Sequence, residues 1–204
     1  MSNNEIFNQY TRPNKHGLYD PANETENCGV GFVAHIKGQA SHQIVEDADH
    51  ILRRMVHRGA CGCEANTGDG AGIMTSLPYE FLTRVAKEDL GADLPEKGQY
   101  AAGNVFLPVN ETERAACKKL INELIEKSDQ KLIGWRELPV DPIKADVGPT
   151  ARAAQPHMEQ LFIAAADGVS SEEFERKLYI LRKDAGHTIR NDESITQREL
   201  YYVE

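Results

Sequence analysis

Two hydrophobic periods run along this chain and divide it into predicted elements. Residues 29–37 form an apolar, glycine-punctuated run, Val30 to Ile36, that predicts a first β-strand entered through Asn27-Cys28. Ile44, Ala48, Ile51, Leu52 and Met55 then recur at helical spacing, which predicts a helix capped by Ser41, running to about Val56 and ended by Gly59. Thr67-Gly-Asp-Gly-Ala-Gly72 is a glycine-dense loop that leads into a short predicted strand, Ile73–Leu77. A short amphipathic helix (Tyr79–Leu90) and a strand around Tyr100–Leu107 follow. Asn110 with Glu113 three residues later reads as a helix start, and Ala116, Leu120, Ile121 and Leu124 give that helix one apolar face to about Lys127. Lys131–Leu138 is a predicted strand carrying Trp135, and Pro139 to Pro156 is a Pro-, Ala- and Gly-rich surface connection. Glu159–Ala165 reads as a buried strand. Ser170 caps the last helix with Glu173 as its partner, Gly186 is placed to stop it, and another strand begins at Leu200–Val203, inside which the chain ends. Strands and helices in mixed order, with no internal repeat and no clear linker, predict one α+β domain.

Composition narrows the partners. The net charge of −9 argues against nucleic acid and anionic membrane surfaces, which need clustered positive charge. No apolar run approaches the roughly 20 residues of a membrane span. The N-terminus lacks the apolar core of a secretory signal, so a cytoplasmic protein is expected, and the glycosylation sequons at Asn23 and Asn110 carry no meaning there. The four cysteines, Cys28, Cys61, Cys63 and Cys117, are then expected to stay reduced. His57, Cys61 and Cys63 lack the second ligand pair of a zinc site, so no metal is assigned. Cys61 and Cys63 read as small-residue positions, Cys117 as the buried face of a helix and His35 as a partly buried strand histidine.

Candidate chemistry starts at Cys28. Residues 1–27 are polar and broken by Pro13, Gly17 and Pro21, which suits either an ordinary floppy terminus or a removable leader. If the Asn27–Cys28 bond is cut, one residue carries both a thiol and an α-amine whose reference pKa is about 7.7–8.0. Nucleophile and base then come from the same residue. Without cleavage that nitrogen is an amide with no basicity, and Cys28 is a strand residue like any other. Arg58 reads as a cation near a helix C-terminus. The loop at Thr67–Gly72 has neither the glycine spacing of a dinucleotide fingerprint nor the Gly-Lys-Ser/Thr of a phosphate loop. It fits a tight turn in which Asp69 holds backbone N–H groups, with Arg58 as a possible neighbour.

The conjunction of motifs is more specific than any one of them. Cys28-Gly-Val-Gly-Phe32, His57-Arg58-Gly59-Ala60 and Thr67–Gly72 closely resemble the start of the glutamine amidotransferase domain of glutamate synthase large subunits, a class II, N-terminal-nucleophile family. Gly17-Leu-Tyr-Asp-Pro21, Gln155-Pro-His-Met-Glu-Gln160 and Phe174-Glu-Arg-Lys-Leu-Tyr179 follow the same pattern in the same order, so the resemblance spans nearly all of residues 17–204. It implies a four-layer αββα sandwich of the N-terminal-nucleophile hydrolase type, incomplete in this chain. Residues 1–27 would be a propeptide and 28–204 the N-terminal part of the amidotransferase domain. Cys28 would be the nucleophile and, once exposed, the α-amine base, and Arg58 would support the nucleophile loop. The reaction implied is hydrolysis of L-glutamine, with ammonia passed to 2-oxoglutarate elsewhere in a longer enzyme. FMN and a 3Fe-4S cluster would lie in the remainder of that large subunit, and a small electron-donating subunit or ferredoxin would be its partner. The Asn-Gly oxyanion pair and the glutamine-binding arginine and aspartate of the family are expected beyond residue 204. With the leader present and the pocket incomplete, the isolated chain is expected to be inactive. Two other readings keep less of this: another class II amidotransferase, or a non-catalytic amidotransferase-like interaction subunit.

Overall fold

The structure is a computed structural model, and it describes residues 15–18, 20, 29–55, 61–64, 67–68 and 70–196, of which 61–64 and 67–68 are described by backbone alone. The chain divides into two compact units, Met1–Ser76 with Asp141–Ala154, and Leu77–Val140 with Gln155–Glu204.

In the first unit, α1 (His42–Arg54) is followed by a small antiparallel ribbon, β1 (Cys61–Glu64) with β2 (Thr67–Gly68), in register Cys61↔Gly68 and Glu64↔Thr67. β2 takes up Thr67 and Gly68, the start of the stretch that the glycine pattern assigned to a loop. Helix α1 begins where Ser41 predicts, although the Ser41 side chain makes no capping bond, and Gly59 lies outside the described residues. Two predicted strands, residues 29–37 and Ile73–Leu77, carry no ladder here. A strand exists only through a neighbour that takes its N–H and C=O groups, and apolar composition cannot supply one. The close approach expected of Gly29 and Gly31 is real. A Cβ on Gly29 would sit 2.7 Å from Met55 Sδ, and one on Gly31 would sit 2.7 Å from Ile51 Cγ2. The unit also holds a short helix, α2 (Pro149–Ala153), with Pro149 at its first turn. It lies within the Pro139–Pro156 connection.

The second unit is the better-packed one. It comprises α3 (Tyr79–Leu90), β3 (Tyr100–Leu107), α4 (Glu111–Lys127), β4 (Lys131–Glu137), β5 (His157–Ala164) and α5 (Ser171–Asn191). The sheet order is β3-β5-β4, all antiparallel. β3 meets β5 without a break from Tyr100↔Ala164 to Leu107↔His157, whereas β4 meets β5 with an irregularity between Leu132 and Gly134. Alternation along β5 feeds two cores. Leu161 and Ile163 face the side where Cys117, Ile121 and Ile125 of α4 and Phe174, Leu181 and Ala185 of α5 are buried. Phe162 faces the other side, among Leu82, Val85 and Ala86 of α3 and Tyr100. Sheet and helices together make an α+β fold. A second large sheet, which four layers require, is not among the described residues.

Helix ends follow local chemistry where the sequence shows it. Asn110 Oδ1 accepts from the N–H groups of Thr112 (2.9 Å) and Glu113 (3.1 Å), and Ser170 Oγ accepts from Glu173 N–H (3.2 Å). Gly186 does not stop α5, which runs on to Asn191. Glycine weakens a helix but breaks it only if something else satisfies the freed groups, and Ala185 and Ile189 on the buried face hold the next turn in place. The strand expected at Leu200–Val203 lies outside the described residues.

Two stability tests follow from this packing. Phe162→Ala should cost about 3–5 kcal/mol, whereas Gly186→Ala should add about 1 kcal/mol because a Cβ there meets nothing within 4 Å; urea unfolding followed by the fluorescence of the single tryptophan reads both. In the first unit, Gly31→Ala should lower the opening free energy of α1 by about 1–3 kcal/mol, since β-branched Ile51 is stiff. Gly29→Ala should cost less, because the Met55 thioether can swing aside. Amide exchange across residues 42–54 separates the two.

Candidate functional site

Cys28 and Arg58, the two residues assigned chemistry from sequence, lie outside the described residues, as do His57 and Asp69. What the structure describes is the surroundings of the chain that follows Cys28. Residues 29–33, the apolar face of α1 and residues 72–75 wall a cleft of about 430 Å³. Ile44, Ala48, Ile51, Leu52 and Met55, the five residues whose spacing predicts α1, all line it. Val30 and Phe32 are 95% and 89% exposed, so the stretch has one side against the helix and one side open. Among the described residues that wall the cleft, none carries an ionisable side chain. The described walls seat the glycine-rich stretch on α1.

His35 is exposed rather than partly buried. Its Nδ1 accepts from the Gln39 N–H (3.2 Å), closing a turn in which Gly38 takes a positive φ of 67°. Without a ladder on residues 29–37 there is no sheet for this ring to pack into.

The motif at Gln155–Gln160 falls on β5 and is split between the faces of the sheet. Glu159, 6% exposed, accepts from Lys118 Nζ (2.6 Å) and lies 3.2 Å from His157 Nε2. Lys118 also sits 5.0 Å from the centroid of the Trp135 ring, and Trp135 donates to Asn122 Oδ1 (2.9 Å). A buried carboxylate needs such a partner, so this cluster ties α4 to the sheet. On the opposite face, Gln160 donates to Asn104 Oδ1 (3.2 Å) and accepts from Arg136 Nη1 (3.5 Å), and Arg136 Nε pairs with Asp89 at the end of α3. This polar row crosses all three strands. Composition alone could not find it, but the register of Asn104↔Gln160 and Arg136↔Gln160 makes it inevitable. The Phe174–Tyr179 motif is also structural: Phe174 is core, and Leu178 packs against it.

Cys117 is fully buried on α4, as its place on the helix predicts. Burial, and behind it the carboxylates of Glu113 and Asp192, push its thiol up to about 11, so it stays protonated and unreactive at neutral pH. Among the described residues, no three His, Cys, Asp or Glu side chains gather as metal ligands. A protonated, enclosed Cys117 does not fit an iron–sulfur cluster, and no step is assigned to one here.

The profile of class-II glutamine amidotransferases matches residues 28–204. The chain is 41% identical over 186 residues to glutamate synthase [NADH] of Schizosaccharomyces pombe, an alignment that covers 87% of this chain and 8% of that protein. It is 40% identical over 174 residues to the glutamate synthase [NADPH] large chain of Bacillus subtilis, covering 85% of this chain and 11% of the relative. With ferredoxin-dependent glutamate synthase 1 of Arabidopsis thaliana the identity is 40% over 173 residues, covering 84% and 10%. The chain therefore spans about a tenth of the length of these relatives. With a match that starts at the cysteine singled out from sequence and runs across both compact units, this chain belongs to the class-II glutamine amidotransferases, as a domain homologous to the N-terminal region of glutamate synthase large subunits.

Proposed function

We propose that this chain is the nucleophile-bearing part of the glutaminase domain of a glutamate synthase, with residues 1–27 as a propeptide and Cys28 as the residue that attacks glutamine. The observation that carries this reading is the start of the family match at Cys28 itself, with 27 residues ahead of it. After the leader is removed, the Cys28 thiol attacks the side-chain amide carbon of L-glutamine. The free α-amine, directly or through a water, takes the thiol proton and delivers it to the departing ammonia. A γ-glutamyl thioester remains, and water adds to it, releasing glutamate and restoring the thiol. The seating of Gly29 and Gly31 on α1 would fix the backbone from which the nucleophile projects, so that the enzyme spends little binding energy on ordering it. Arg58 would hold the nucleophile loop through charge-assisted hydrogen bonds.

In the longer enzyme the ammonia would meet 2-oxoglutarate at a separate synthase region that holds FMN and a 3Fe-4S cluster. The relatives are named for three different electron donors, NADH, NADPH and ferredoxin, and this chain matches all three at 40–41% identity, so the electron donor is left open. No helix among the described residues is long and apolar enough to cross a membrane. A cytoplasmic location completes the proposal.

Mass spectrometry of the mature enzyme that contains this chain should find Cys28 at the N-terminus, and Cys28→Ala should abolish glutamine hydrolysis while ammonia-dependent glutamate formation persists. An active enzyme that retains its leader would refute the mechanism. Arg58→Ala should lower the glutaminase rate by about 10-fold or more, as expected for loss of a positioning contact, with unfolding unchanged; an unaltered rate would return Arg58 to an ordinary surface role.

A further inference from the structure

Two side chains at the end of α1, Ile51 and Met55, carry the glycine-rich stretch, and of the two only Met55 holds an oxidisable atom. A Cβ on Gly29 would lie 2.7 Å from Met55 Sδ, 3.5 Å from its Cγ and 3.6 Å from its Cβ, so the sulfur is the atom turned toward the glycine. The Ile51 atom that faces Gly31 is an inert methyl group. Met55 closes α1, and its N–H donates to Ile51 O and Leu52 O, both at 3.1 Å. Its backbone is thereby fixed, and a change at the sulfur is taken up by the side chain alone.

Met55 is half-buried and lines the cleft of about 430 Å³, within reach of a molecule as small as hydrogen peroxide. A sulfur lone pair attacks one peroxide oxygen, the O–O bond breaks, a proton passes to the departing oxygen and water leaves. The sulfur loses two electrons, the peroxide gains them, and an apolar thioether becomes a polar sulfoxide. The one side-chain hydroxyl in the described cleft walls, Thr75 Oγ1, already donates to Ser76 O (3.1 Å). An unpaired polar atom is disfavoured against apolar walls, so the sulfoxide turns toward water and leaves Gly29, a turn that the flexible methionine side chain makes easily. Met74 lines the same cleft but is 99% exposed, so its oxidation removes no buried contact.

We propose that Met55 is a redox-sensitive modification site: a hydroperoxide converts it to the sulfoxide, Gly29 is unseated from α1, and glutamine hydrolysis slows until the thioether is restored. The effect on hydrolysis rests on Cys28 being the nucleophile; the unseating of Gly29 does not.

On the 204-residue chain, the thiols are capped as mixed disulfides, hydrogen peroxide is added, and dithiothreitol then frees the thiols and leaves the sulfoxides. Mass spectrometry of peptides should place one oxygen on Met55. Nuclear Overhauser contacts between the Met55 side chain and the Gly29 α-protons should vanish, and the Gly29 N–H order parameter should fall from about 0.85 to below about 0.6. The two methionine sulfoxide reductases, one for each epimer, should reverse both changes. In the enzyme that contains this chain, the same treatment should slow ammonia release from glutamine about fivefold or more. Met55→Leu, which keeps the volume without the sulfur, should hold its own starting rate through the treatment, whereas Met74→Leu should still lose rate. A Met55 that takes up no oxygen, or takes it up with the Gly29 contacts intact, would overturn the proposal, and so would an equal loss of rate in Met55→Leu. If Met55→Leu does not fold, partial oxidation of the wild type decides: a loss that follows Met55 sulfoxide supports the proposal, and one that follows Met74 or Met158 sulfoxide refutes it. Glutamine hydrolysis that survives Cys28→Ala, with Gly29 still unseated by oxidation, would sink the assignment of the nucleophile and uphold the modification site.

Discussion

The second unit depends on β5 having partners on both edges and both faces. Its backbone groups are shared between β3 and β4, and its side chains alternate between two cores. These constraints lock one another. A slip of one residue would turn every side chain of β5 to the opposite face. Phe162 would then leave the α3 core, and Glu159 would enter it without Lys118. An apolar residue lost from one core and an unpaired carboxylate forced into the other are both costly, so the polar members of the strand enforce the register as strongly as the apolar ones.

Polar groups also hold the ends of elements. Asn110 and Ser170 cap their helices, and the buried Gln130 joins the start of β4 to the loop after β5 by accepting from Ala166 N–H and donating to Ser128 O. Glu113 shows that a capping pattern is a set of available partners rather than a fixed arrangement. Asn110 satisfies two of the free N–H groups, and the carboxylate is taken by Thr196, 83 residues away.

The first unit rests on a different constraint, contact between backbone and helix. Gly29 and Gly31 let the chain lie directly on Met55 and Ile51, an approach that a Cβ would crowd, more severely against the stiff Ile51 than against the flexible Met55. Among the described residues, the stretch next to Cys28 is held on α1 by shape.

Helical spacing, cap residues and strand periodicity were enough to identify α1, α3, α4 and α5, and β3, β4 and β5 in chain order, because each of these signals is written within a dozen neighbouring residues. The burial of Cys117 was legible for the same reason, and the motif at Cys28 marked the family. Tertiary structure alone decided which apolar runs found strand partners, why α5 continues through Gly186, how the Gln155–Gln160 motif divides between two faces of a sheet, and that Glu113 holds Thr196. Each of these depends on groups far apart in the chain, and a local pattern cannot say which distant donor, acceptor or side chain will be there to meet it.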